Sequence, residues 1–204
     1  MGNIKSVQHA FDYLGYRVNV TSSRKEIRES VGIILPGVGA FRDAIKILRK
    51  KDLDKVIEEE IRKEKPFLGI CLGMQLLFSF SEENGLYEGL GIISGKVVQF
   101  AKDLRIPHLG WNQVNYCFKE KSKNSFMFSG IPNMSYFYFV HSYYCVPEKE
   151  EVVMAKSDYK YNFVSAVFRK NVMGVQFHPE KSSNQGLRLL KNFGEICYGN
   201  YTGN

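Results

Sequence analysis

Apolar residues recur at helical spacing at the start of the chain. Ile4, Val7, Phe11 and Leu14 share one face, and Gly15 stands where a helix would close. Val18 and Val20 alternate as a short strand, and residues 31–35 form a continuous apolar run ended by Pro36-Gly37. Leu53, Val56, Ile57 and Ile61 mark an amphipathic helix with Asp52 at its cap. Residues 66–70 read as a buried strand, and residues 74–78 as the first turns of a helix. From Gly89 to Gln176 the pattern becomes strand-rich, with runs at 92–98, 111–116, 137–144, 152–155 and 164–168. A last helix starts near Asn184 and places Leu187, Leu190, Phe193 and Cys197 on one face. Helices and strands alternate first, and strands dominate afterwards. That order predicts an α/β sheet core with an antiparallel extension. There is no internal repeat, low-complexity stretch or linker, and residues 1–204 are expected to form a single domain.

The chemistry concentrates at the handover from strand to helix at Gly69-Ile70-Cys71-Leu72-Gly73. Glycines on both sides permit a sharp, crowded turn that pushes the cysteine out of the sheet, as in a nucleophile elbow. A thiolate there would lie near the positive end of a helix. The bland reading is a buried structural cysteine, but a packed core strand has no use for the two glycines.

A second element answers the first. Near the C-terminus an apolar strand ends in Gly174-Val175-Gln176-Phe177-His178-Pro179-Glu180. A cysteine nucleophile needs a base and a group that holds the base in the right tautomer, and His178 and Glu180 offer both. Pro179 cannot continue a ladder, so a rigid corner is expected. A His two residues from a Glu is weak evidence alone and gains weight only beside the cysteine elbow.

Charge and cysteine content remove other classes. The net charge is +7, but the basic residues are spread along the chain. Where they are dense, between Arg42 and Lys65, acids are interleaved, which reads as a solvated helix surface and not a nucleic-acid stripe. No apolar run approaches a membrane span, and the chain does not open with an export signal. Cys71, Cys117, Cys145 and Cys197 have neither paired nor metal-ligand spacing, so reduced thiols in the cytoplasm are expected. His9, His108 and His141 have no partner at ligand spacing, so no metal is expected, and no cofactor either.

Together these motifs resemble the class I (triad) glutamine amidotransferases. Further segments are similar to the glutaminase subunits of imidazole glycerol phosphate synthase: residues 35–41, Ile106-Pro107-His108-Leu109-Gly110-Trp111-Asn112, residues 138–143 and residues 175–182. The resemblance implies a flavodoxin-like sheet with helices on both faces. It implies hydrolysis of L-glutamine by Cys71, His178 and Glu180, with ammonia passed to a (β/α)8-barrel synthase subunit in a heterodimer of the histidine pathway. It implies an oxyanion hole from the N–H of Leu72 and the loop at Gly39, although Pro36-Gly37-Val38-Gly39 taken alone is an ordinary turn. It implies glutamine contacts at Gln75, Glu83 (with Glu82 as a rival), Ser142 and Tyr143. It places Trp111 and Asn112 at the subunit interface, against the plainer reading of Trp111 as core.

One departure stands out. The family opens with a short apolar strand ending in an Asp-Tyr-Gly-like turn, whereas this chain enters its first helix directly after Met1-Gly2-Asn3. The expectation is a start assigned too late, with Met1 internal to a longer frame. Two other readings of the activity are a related subunit that supplies ammonia for acetamidino groups on surface sugars, and a non-catalytic regulatory subunit. Gene neighbours discriminate the first, and an intact triad argues against the second.

Overall fold

The computed structural model describes residues 2–101, 103–118 and 123–199. Its centre is a short parallel array. β2 (Phe67–Cys71) lies between β1 (Ile33–Gly37) and β11 (Val172–Val175) and runs parallel to both. All five residues of β2 are buried. Leu68 and Ile70 join a core with Val7 and Phe11 of α1 (Gly2–Tyr13) and with Leu189, Leu190 and Phe193 of α6 (Ser183–Cys197). Phe67 joins a second core with Ile45 and Leu48 of α3 (Phe41–Lys50) and Leu53 and Ile57 of α4 (Leu53–Arg62). Burial on both faces is what makes the strand continuously apolar.

From β11 the sheet continues antiparallel through β10 (Asn162–Arg169), β8 (Tyr143–Pro147) and β5 (Ile93–Gln99). It ends on β3 (Phe78–Ser81) and β4 (Tyr87–Glu88). A side branch pairs β9 (Val153–Asp158) with β10 and with β6 (His108–Tyr116), and β6 with β7 (Ser135–His141). The α/β core, the helices on both faces and the antiparallel extension are therefore all present. No helix among the described residues is long and apolar enough to cross a membrane.

Several local expectations fail for identifiable reasons. Residues 16–23, including Val18 and Val20, form no strand. β1 has one strand neighbour among the described residues, and beside its other edge lies an apolar cavity of about 540 Å³ bordered by Ile4, Val7, Val18, Leu53 and Ile57. The run at 31–35 begins its strand only at Ile33 and carries Pro36 and Gly37 within it, as a terminal strand allows. Asp52 precedes α4 but does not cap it: its φ is 54° and its carboxylate accepts from Lys55 Nζ at 2.8 Å. The helix after Cys71, α5, spans only Leu72–Gln75, and Phe78 already belongs to β3. The run at 137–144 is two strands broken at Ser142. α2 (Arg24–Glu29), six polar-rich residues with none buried, left no apolar periodicity to read.

Candidate active site

Cys71 ends β2 and immediately precedes α5, with φ 54° and ψ −109°. A non-glycine residue seldom adopts such a backbone, and its persistence at a strand–helix junction marks a nucleophile elbow. Packing enforces the turn. A Cβ on Gly73 would stand 1.7 Å from the Leu35 carbonyl oxygen, and one on Gly69 would stand 2.6 Å from the Gly73 carbonyl oxygen. The helix therefore presses on β1 and β2 more closely than any side chain permits.

β11 and its continuation bring His178 to this point. The His178 ring lies close enough to Cys71 for the two groups to influence each other's charge. Its Nδ1 lies 2.8 Å from Glu180 Oε1. Both side chains are sequestered, at 1% and 0% exposure. Burial opposes charge on the ring, but the neighbouring Glu180 and Cys71 outweigh it and raise His178 from 6.5 to about 9. The corner is rigid. His178 N–H donates to the Tyr138 carbonyl at 2.9 Å, Ser182 Oγ–H donates to the His178 carbonyl at 2.6 Å, and Tyr138 N–H donates to Ser182 Oγ at 2.9 Å.

The other sequence-derived residues fall in different places. Leu72 is buried as the first residue of α5, so its N–H belongs to the turn that carries the nucleophile. Gly39 follows β1 with φ 100° and open space where a Cβ would be. Gln75 is buried, and its Nε2 donates to the Tyr143 carbonyl at 3.0 Å and to Gln176 Oε1 at 3.1 Å, which leaves its own oxygen as the group it can offer. Ser142 and Tyr143 stand at the break between β7 and β8. Their carbonyls are engaged within the fold, by Phe100 N–H for Ser142 and by Gln75 for Tyr143. Glu83 turns inward and accepts from the N–H of Phe41 at 2.7 Å, at the start of α3. Its rival Glu82 points out to Lys96 at 2.9 Å.

Trp111 is 53% exposed and stands opposite Tyr138, with ring centroids 6.1 Å apart. Leu109 and Tyr136 extend the same outward face, while Phe137 and Phe139 are fully buried on the inward one. The core reading of Trp111 is therefore excluded. Asn112 belongs to the opposite face: its Nδ2 donates to the Asp158 carbonyl at 2.7 Å. Its side chain does not share the Trp111 surface.

Two groups at the site were not read from the sequence. Gln176 is fully buried and donates from Nε2 to Cys71 Sγ at 3.6 Å. The Val140 carbonyl accepts from Cys71 Sγ at 4.0 Å. A glutamine inside an apolar strand end was the available signal for the first. A backbone carbonyl leaves none. Among the described residues no group of three His, Cys, Asp or Glu could hold a metal ion.

A family model for the class-I glutamine amidotransferases matches residues 1–197. The chain belongs to that family. This class-I amidotransferase is 50% identical over 196 residues to the imidazole glycerol phosphate synthase subunit HisH of Moorella thermoacetica, covering 96% of this chain and 91% of that one. It is 47% identical to the subunit of the same name in Chlorobaculum tepidum, covering 96% of each. Solved structures share the fold. A glutamine amidotransferase aligns with a TM-score of 0.75 at 18% identity, covering 97% of this chain and 95% of that one. The glutaminase domain of a Trypanosoma brucei CTPS aligns with a TM-score of 0.61 at 19% identity, covering 98% and 89%.

Proposed function

We propose that this amidotransferase is the glutaminase subunit of an imidazole glycerol phosphate synthase, hydrolysing L-glutamine and passing ammonia to a barrel-shaped cyclase subunit in histidine biosynthesis. The observation that carries the reading is Cys71 on a strained elbow beside the buried, hydrogen-bonded pair His178–Glu180. The Cys71 thiolate attacks the carboxamide carbon of glutamine. As the C–N bond breaks, the His178 imidazolium gives its proton to the departing ammonia, and a glutamyl thioester remains on the sulfur. His178, now neutral, takes a proton from water, which attacks the thioester and releases glutamate. Glu180 holds Nδ1–H and so fixes the tautomer through both steps. The Leu72 N–H meets the developing oxyanion, and the loop at Gly39 supplies the second donor once reoriented.

Ammonia in bulk water takes up a proton and loses its nucleophilicity, so transfer needs a sealed contact. The outward face carrying Leu109, Trp111, Tyr136 and Tyr138 fits that contact with the cyclase subunit, since aromatic residues anchor interfaces. Relatives at 45–50% identity that carry the imidazole glycerol phosphate synthase name favour the histidine pathway over sugar amidination. Four unpaired thiols favour a cytoplasmic setting. The test is isotopic. Glutamine labelled with ¹⁵N at its amide should deliver the label to the imidazole product of the reconstituted pair. Label found only as free ammonium would contradict the reading.

A further inference from the structure

Two buried histidines lie behind the site and take no part in the chemistry above. His108 opens β6, His141 closes β7, and they stand directly opposite each other in the antiparallel ladder. His108 Nδ1 and His141 Nε2 are 2.9 Å apart. His141 Nδ1 lies 2.8 Å from the Tyr143 carbonyl, and His108 Nε2 lies 3.2 Å from Asn112 Nδ2.

One proton arrangement satisfies all four ring nitrogens. The Tyr143 carbonyl only accepts, so His141 Nδ1 carries a proton. A neutral His141 then accepts at Nε2, so His108 donates from Nδ1. A neutral His108 accepts at Nε2, and the Asn112 amide donates to it. A proton added to either ring would place two hydrogens in the gap of 2.9 Å, or two facing donors at Asn112.

The line does not stop at Tyr143. Its carbonyl also receives Gln75 Nε2, whose second hydrogen goes to Gln176 Oε1, and Gln176 Nε2 points at Cys71 Sγ. The two arms meet at the Tyr143 carbonyl, which accepts from His141 on one side and from Gln75 on the other. We propose that His108 and His141 form a neutral positioning pair, which fixes the Tyr143 carbonyl and, through Gln75 and Gln176, holds the amide hydrogen that faces the Cys71 sulfur. The rate consequence rests on the glutaminase reading; the effect on Cys71 does not.

The surroundings suit a neutral pair. Rings of Phe100, Phe139, Phe163 and Tyr159 pack against His108, and Phe100, Phe139 and Phe163 against His141. Burial pushes His108 down to about 4. Burial likewise pushes His141 down to about 3, with the Tyr143 carbonyl opposing and His108 and His178 reinforcing. His108 and His178 are titratable groups that act on His141.

The experiment uses the full chain. Peptide-resolved mass spectrometry follows alkylation of Cys71 by iodoacetamide across pH, in wild type, His141→Phe and His141→Asn. Phe keeps the shape and removes the donor to Tyr143, whereas the Asn amide restores a donor in the Nδ1 position. In His141→Phe the Cys71 profile should move to higher pH and alkylation at pH 7 should slow by about three- to tenfold, the worth of one hydrogen bond. His141→Asn should recover most of it, and glutamine turnover should follow the same order with a fall in kcat and little change in KM. His108→Phe carries the same test if His141→Phe does not fold, since it frees His141 to take the wrong tautomer. Nitrogen NMR of the wild type should find both rings neutral with Nδ1–H down to pH 5. Rings that protonate near 6.5, or a Cys71 profile unmoved by the substitutions, would overturn the proposal. If glutamine is not the substrate, turnover is absent throughout while the Cys71 profile still reports on the pair.

Discussion

His178 Nδ1 and Glu180 Oε1 lie 2.8 Å apart, joined through the single residue Pro179. A base and its orienting carboxylate are thus built on one corner, and only the nucleophile is brought from elsewhere. Glu180→Gln keeps the shape but offers an amide in place of the charge. It should lower glutamine turnover by about 10²–10⁴-fold, the range for a disabled acid–base partner. It should also bring the His178 titration down from about 9, since Glu180 is one cause of the rise. Turnover within a few-fold of wild type would remove Glu180 from the mechanism.

The three buried histidines set opposite slopes on stability against pH. His178 is raised to about 9, so between 6.5 and 9 the folded state holds more protons than the unfolded chain. Its contribution is complete below 6.5 and is lost as pH rises through 9. His108 and His141 are depressed to about 4 and about 3, so below 6.5 the unfolded chain binds more protons. Their contribution is complete above 6.5 and is lost as pH falls towards those values. Thermal midpoints should therefore peak near neutrality and decline on both sides. Replacing His108 and His141 together by Phe should flatten the acid limb, which a series of melting curves would read.

Gly73→Ala tests the packing that shapes the elbow. Its Cβ would fall 1.7 Å from the Leu35 carbonyl oxygen, which belongs to a strand and has little room to give. The expected cost is about 3 kcal/mol, the upper part of the range for overpacking, seen as a lowered denaturant midpoint. An unchanged midpoint would mean that the helix and β1 separate easily.

Trp111→Ala should separate assembly from folding. Half of the ring is exposed, so the isolated chain should lose under about 1 kcal/mol of stability. In the complex with the cyclase subunit it should weaken affinity or let glutamate form in excess of product. If the ratio of glutamate to product and the affinity both stay unchanged, this face is not the contact.

What the sequence disclosed was what is local in it. Cys71 between Gly69 and Gly73, and His178 two residues from Glu180, are arrangements whose geometry is set within a single turn. Gln176 and the His108–His141 pair became visible only with the fold, because they depend on strands far apart in the chain meeting in one register. Leu76-Leu77-Phe78 misled because a short apolar run fits helix or strand equally; Phe78 pairs in β3 instead. Val18 and Val20 had the right alternation but lie in a segment, residues 16–23, that forms no strand. Asn112 was grouped with Trp111 as its neighbour, yet adjacent strand residues face opposite sides, and its amide lies with His108.

The central claim is that Cys71 is the nucleophile of a glutaminase. The direct measurement is glutamate release from glutamine by wild type and Cys71→Ser, each assembled with the cyclase subunit and its ligand. Wild type should turn over, and Cys71→Ser should fall by at least ~10²-fold while binding the cyclase equally well. Glutamate release by Cys71→Ser at close to the wild-type rate would contradict the account.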